Sequence, residues 1–302
     1  MNKGWLVNDC LTCIPGTKTL WHNLLEWIPG LEDKTNGYTE YRVLPNYIES
    51  EARTHGHPDY VIRNGTFFRN LNLNSKTISL LQDCYEGNTQ QIQVSNSSDV
   101  TVFNSPFTKA FFGDKITSKV VTIPLGVDST HFNKTEDHSE ELGILPDSIL
   151  FVGANNEHPK GFDLMLDIIN NTEYNFCLVM KDNFTMNHPR VKVFNRLNQD
   201  QIKKVYNSCK LIVCTSRIET QHLVGIEGGF CGLPIVATNV GIYYGLENGE
   251  WGRKVGNLEE FKTEIEYILN NYNDFNPRAY FLTMGCDIES CKNKWLEIIE
   301  DL

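Results

Sequence analysis

Short apolar runs alternate with amphipathic stretches from one end of the 302-residue chain to the other. Runs rich in β-branched and aromatic residues predict strands at 5–7, 42–44, 60–63, 77–81, 100–103 and 120–123. A second series follows at 149–152, 176–180, 191–194, 211–214 and 234–237. Between them apolar residues recur at helical spacing, as in 19–27, 161–169, 200–208 and 258–270. Strands separated by helix-length segments imply parallel sheets with crossover helices. No internal repeat or low-complexity tract interrupts this rhythm. The polar, acid-rich stretch IPLGVDSTHFNKTEDHSEELGILPDS, 123–148, separates the two series. The expected fold is therefore α/β, with two doubly wound parallel-sheet domains and a ligand cleft between them at the carboxyl ends of the strands.

Composition changes this picture little. A 40% hydrophobic and 22% charged chain is an ordinary globular protein. No run of about 18 apolar residues predicts a membrane span, and the start, MNKGWLVNDCLTC, is a poor secretion signal. Nine scattered cysteines argue for reduced thiols. Cys10 and Cys13 form one CxxC, half of a structural zinc site, with no second pair. These features place the chain in the cytoplasm. The net charge is −11, and it is uneven. Residues 1–128 carry 11 basic and 13 acidic side chains, whereas residues 129–302 carry 16 and 25. So acidic a protein is not a general nucleic-acid binder.

Two stretches carry candidate chemistry. In ILFVGANNEHPKGFDLMLDII, 149–169, a strand ends at Gly153, and Lys160-Gly161 then opens a helix. A lysine there can clamp a diphosphate, or it can be a surface lysine beside a turn. In SRIETQHLVGIEGGFCGLPIVATNVG, 216–241, Glu219 falls in a polar turn and Glu227 about one turn into an apolar helix. The free N–H groups of Leu223, Val224 and Gly225 suit an anion. Carboxylates beside them can accept hydrogen bonds from sugar or ribose hydroxyls. The plainer alternative makes Glu219 a solvated turn residue and Glu227 an acid favoured by the helix dipole.

Together with IPLGVDSTHF, 123–132, these stretches resemble glycosyltransferase family 4, whose GT-B enzymes have two Rossmann-like domains and retain anomeric configuration. The likeness is clear over about 120–240 and weaker before it. It implies an acceptor-binding domain over 1–125, with a C-terminal helix at 288–302 packing back on it, and a nucleotide-sugar domain over 126–287. It implies that Glu227 binds the donor ribose and Glu219 contacts the transferred sugar. Lys160 and the Leu223 and Val224 amides would hold the diphosphate of a UDP-sugar, and backbone near Arg196 and Leu197 would face the base. Gly16, in the first loop, would approach the donor sugar and phosphate. Neither a metal nor another cofactor is expected, because no Asp-x-Asp occurs.

The chain departs from the family in three places. Ala154 stands where the family has an arginine, so diphosphate binding leans on Lys160, Arg196 or Arg217. Thr220-Gln221-His222 replaces Gly-Phe-Gly, so His222 either reaches the donor or is solvated. Gln82-Asp83 replaces His-Asp, which makes Asp83 a candidate catalytic group near the acceptor.

The acceptor is read from less. Arg53, Arg63 and Arg69 lie in a window with few acids and suggest either scattered surface charge or a basic patch. The chain is compact and rich in Asn, Tyr and Cys, in the manner of viral proteins, which puts it in a host cytoplasm. The first expectation is therefore transfer to the hydroxymethyl group of 5-hydroxymethylcytosine in phage DNA. The alternatives are a surface polysaccharide or lipid-linked glycan as acceptor, and a non-catalytic protein that binds nucleotide sugar.

Overall fold

The computed structural model describes residues 3–8, 15–35, 44–65, 68–84, 89–155 and 157–302. It divides into two compact units, Met1–Gly126 with Glu289–Leu302, and Val127–Ile288.

The first unit is built on β1 (Gly4–Asn8), α1 (Pro15–Trp27), β2 (Leu31–Asp33), α2 (Leu44–His55), β3 (Tyr60–Asn64) and β4 (Lys76–Leu81). It continues through α3 (Thr89–Asn96), β5 (Val100–Phe103), α4 (Pro106–Phe112) and β6 (Lys119–Thr122). The six strands pair in parallel in the order β2-β1-β3-β4-β5-β6. β1, β3 and β5 are buried along their whole length, as expected of strands covered on both faces. Trp5, Val7, Leu44, Ile48, Ala52 and Val61 form the core under α2. Gln82 and Asp83 follow β4 directly.

The second unit contains α5 (Ser139–Leu142), β7 (Ile149–Gly153), α6 (Phe162–Asn170), β8 (Phe176–Met180), β9 (Val191–Asn195), α7 (Gln199–Ser208) and β10 (Leu211–Cys214). Then come α8 (Leu223–Phe230), β11 (Ile235–Thr238), β12 (Gly252–Val255), α9 (Leu258–Asn270) and α10 (Pro277–Thr283). α11 (Ile288–Glu300) follows, and from Glu289 it belongs to the first unit. There Cys291 Sγ meets Pro124 O at 3.1 Å.

The second sheet is also parallel, in the order β12-β11-β10-β7-β8-β9. Read from β9, this is the Rossmann order with its switch point between β7 and β10. These two strands share only two register pairs, Leu211↔Ile149 and Ile212↔Leu150. Pairing stops well before their carboxyl ends, and the site is built from the loops that follow them.

Helix starts follow the sequence where a cap is written into it. Asn198 and Gln201 form a reciprocal capping box at α7, and Asn257 caps α9. The strand expected at 42–44 is not one at Leu44, which opens α2; residues 42 and 43 lie outside the described residues. β2 and β12 were not expected. They are short edge strands with sequences LED and GRKV, too polar to stand out as apolar runs.

Candidate functional site

The loop after β7 and the loop after β10 are stitched together through backbone. The N–H of Arg217 donates to Pro159 O at 2.8 Å, and Thr215 Oγ1 donates to Lys160 O at 3.1 Å. Gly161 adopts φ +64, and a Cβ there would collide with Thr215 O. Glycine is needed both for the left-handed backbone and for this close approach. The Arg217 guanidinium donates to His158 O at 3.1 Å and grips Asp163 at 2.7 and 2.5 Å. That guanidinium holds the Asp163 carboxyl down to about 2. Arg217 is thus a clamp for the loop and is already committed to Asp163.

The stitching delivers Lys160 to Glu219, with Nζ 2.5 Å from Oε2. Burial alone would raise the Glu219 carboxyl, but Lys160, His222 and the His222 backbone N–H bring it below its ordinary value. Burial alone would lower Lys160, and Glu219 more than offsets it. Both groups are therefore charged at neutral pH, and each is the other's main partner. Ala154 is 1% exposed and offers no charge beside them.

α8 is preceded by His222, a non-glycine N-cap residue in the left-handed region with φ 70 and ψ 64. This turn aims the first N–H groups of the helix, those of Leu223 and Val224, out of its N-terminus. Gly225 N already bonds His222 O at 3.1 Å. The His222 ring is buried, and its Nδ1 lies 2.7 Å from the Tyr243 hydroxyl. Burial and then Lys160 push its pKa down to about 4 against the opposing pull of Glu219. At neutral pH the ring is uncharged.

Glu227 lies one turn into α8, where Tyr206 of α7 donates to its Oε2 at 2.7 Å. Burial raises the Glu227 carboxyl, partly offset by Tyr206 and by the nearby His131. Tyr206, His131 and Tyr243 were not singled out from sequence. No local pattern marks them: His131 lies in the polar linking stretch, Tyr206 on the α7 helix and Tyr243 in an apolar turn, and only tertiary packing brings each toward a site residue.

The other candidates are more dispersed. Arg196 and Leu197 follow β9, the outer strand of the sheet, with Arg196 exposed at φ 53. Gly16 falls in the first turn of α1; Cys10 and Cys13 lie outside the described residues. Asp83 is half-buried, and burial raises its carboxyl.

The basic patch expected from Arg53, Arg63 and Arg69 does not form as a unit. Arg63 is 1% exposed and donates to Arg69 O and Phe68 O at 2.8 and 2.9 Å. Arg69 makes a two-pronged ion pair with Glu49 at 2.6 and 3.1 Å. Glu49 lies on α2, just outside the acid-poor window, so the window understated the local negative charge. Arg53, in the last turn of α2, and Arg69 are both exposed, but Arg69 is already paired with Glu49.

Among the described residues, no group of three or more His, Cys, Asp or Glu side chains is arranged to hold a metal ion. Nor, among them, is any helix long and apolar enough to cross a membrane.

Residues 146–271, which include all of β7 through α9, match the model of the family described as glycosyl transferases group 1. An uncharacterized glycosyltransferase of Methanocaldococcus jannaschii is 25% identical over 254 residues, covering 76% of this chain and 70% of that protein. The Anabaena protein HepE, solved in complex with UDP-glucose, superposes with a TM-score of 0.78 at 15% identity, over 100% of both chains. The lipopolysaccharide outer core galactosyltransferase WaaB in its apo form gives 0.75 at 12% identity, over 99% of this chain and 100% of that one. With two parallel-sheet Rossmann-like units and this likeness along its whole length, the chain has the GT-B fold.

Proposed function

We propose that the protein transfers a sugar from a UDP-sugar to a hydroxyl of a glycan acceptor, a surface polysaccharide or a lipid-linked glycan. One observation carries this reading. The switch point of the second sheet gathers a lysine and two half-buried glutamates, carried by two stitched loops and the start of α8. The helix N–H groups and Lys160 suit a diphosphate, and Glu219 and Glu227 suit hydroxyls. Neutralising the leaving diphosphate in this way is the electrostatic part of the catalysis. Retention of configuration is what the resemblance of these stretches to glycosyltransferase family 4 implies. Asp83 is the candidate group near the acceptor in the first unit. The UDP-glucose complex of HepE and the galactosyltransferase WaaB support a UDP-sugar donor and a glycan acceptor.

The test is nucleotide release from UDP-, GDP- and ADP-sugars, with glycan acceptors, with hydroxymethylcytosine DNA, and with no acceptor. Release and a sugar-sized mass gain on a glycan are expected. A mass gain only on the modified base would restore the DNA acceptor, which the burial of Arg63 and the pairing of Arg69 disfavour. Binding of donor without turnover under any condition would mark a non-catalytic binding protein.

A further inference from the structure

His222 and Tyr243 both stand in loops at the carboxyl edge of the second sheet, and neither is explained by the proposed transfer so far. Tyr243 is fully buried, and its ring stacks on Trp251 at 5.0 Å with an interplanar angle of 16°. The stack fixes where its hydroxyl lies. Gly241, at φ +58, lets the turn carrying Tyr243 run close to Gln221, whose carbonyl accepts from Ile242 N at 3.1 Å. Gly225 leaves the space through which the hydroxyl reaches His222, because a Cβ there would collide with Tyr243 Oη and lie 2.5 Å from His222 Nδ1. Three separate features thus converge on one hydrogen bond of 2.7 Å.

That bond has two possible directions. If Nδ1–H donated to the tyrosine oxygen, the buried tyrosine proton would need a second acceptor. If the tyrosine donates to Nδ1, the proton of the fully buried hydroxyl is used, and the ring proton sits on Nε2, the nitrogen left open to a ligand. An unmade hydrogen bond in a buried site is costly, so the second direction wins. The tautomer of a histidine is set by the bond its other nitrogen makes.

We propose that Tyr243 is a positioning residue that holds His222 with its proton on Nε2, so that this N–H donates to the diphosphate of the donor at the N-terminus of α8. The inference rests on the proposed donor site and adds a third kind of anion ligand to it. Lys160 shares its charge with Glu219, and Ala154 supplies none. A histidine N–H adds a directed donor next to the Leu223 and Val224 amides without adding a charge that would compete with Lys160 for Glu219.

The experiment uses the whole protein and two readouts. Ring nitrogen-15 shifts report the tautomer of His222 in the free protein, assigned against His222→Asn among the eight histidines. Asparagine tolerates the left-handed backbone at that position. Pyrophosphate binding by calorimetry then reports the anion site without any sugar. The expected results are an Nε2–H tautomer in the wild type and a mixture in Tyr243→Phe, which keeps the stacked ring. Pyrophosphate affinity should fall roughly five- to tenfold in both Tyr243→Phe and His222→Asn, as for one lost hydrogen bond. A wild-type ring protonated on Nδ1, an unchanged tautomer in Tyr243→Phe, or unchanged pyrophosphate affinity in a folded variant each overturns the proposal. The result separates cleanly from the transfer reading. A Tyr243-dependent pyrophosphate site with no turnover from any nucleotide sugar would keep this inference and discard that one.

Discussion

Each sheet has its switch point, and the two are furnished differently. In the first unit it lies between β1 and β3, whose last residues are Asn8 and Asn64. Asn64 Nδ2 donates to Asn8 Oδ1 at 2.9 Å, and Gln82 Nε2 donates to Asn64 Oδ1 at 2.9 Å. All three amides are nearly buried, and so is Asn104 after β5. In the second unit the same place holds Lys160, Glu219 and His222, with pKa values shifted by burial and by one another, and Glu227, raised by burial. One topological position thus carries an uncharged amide chain in one unit and a coupled set of titratable groups in the other. The contrast separates two jobs. Amides recognise hydroxyls without responding to pH, whereas a site for a charged leaving group needs charge placed beforehand.

The comparison can be broken at several points, taken here from the largest expected effect to the smallest. Gly161→Ala forces a side chain onto Thr215 O in a left-handed backbone. It should cost about 3–4 kcal/mol of stability in urea unfolding and release Lys160 from its loop. Unchanged stability would mean that the stitching is incidental.

The second concerns pH. His222 is uncharged in the folded state down to about 4, against an ordinary value of 6.5. The unfolded chain takes up the proton first, so stability is lost as pH falls from 6.5 toward 4. The groups facing the ring are Glu219, Lys160 and Tyr243. The stability difference between wild type and His222→Asn should therefore shift by about 3 kcal/mol between pH 7 and pH 4. A pH-independent difference would contradict the assignment.

Third, Glu219→Gln should lower turnover ten- to hundredfold, and Glu227→Gln should mainly weaken donor binding, each by about 1.5–3 kcal/mol. Steady-state kinetics with a UDP-sugar would show the split, and equal effects on rate and affinity from both would erase it. Fourth, Asn64→Leu strands two buried amides and should cost about 2 kcal/mol at any pH from 5 to 8, measured by the same unfolding assay. A marked pH slope there would break the contrast between the units. Last, Arg69→Ala removes an exposed ion pair with Glu49 and exposed hydrogen bonds to Asn46 and Asn70. It should change stability by less than about 1 kcal/mol and leave any DNA affinity where it was.

The sequence made the central strands legible because they are buried on both faces and read as continuous apolar runs. β8, with FCLVM wholly buried, is the plainest case. It hid β2 and β12, because a short edge strand has little apolar surface to advertise. It also misread Leu44, where the apolar pair Val43-Leu44 suggested a strand and Leu44 instead opens α2. In the site, Lys160, Glu219 and Glu227 stood out as candidates, and the resemblance to glycosyltransferase family 4, not local pattern alone, pointed to their roles. Tyr206 and Tyr243 did not stand out. Their hydroxyls matter only because packing sets one against Glu227 and the other against His222. Arg63 shows the reverse error, in which a charge counted as surface is spent inside on two backbone carbonyls.

The stitching at Gly161 bears on how a ligand would be met. Loops that carry ligands are often loose, and their ordering is then charged against affinity. Here the two loops that present Lys160 and Glu219 are already fastened by Arg217 N to Pro159 O and by Thr215 Oγ1 to Lys160 O. The entropy of fixing them is settled when the unit folds. At the proposed donor site an incoming diphosphate would meet a lysine already in place, so association would need no rearrangement of these loops and would be set by encounter and orientation.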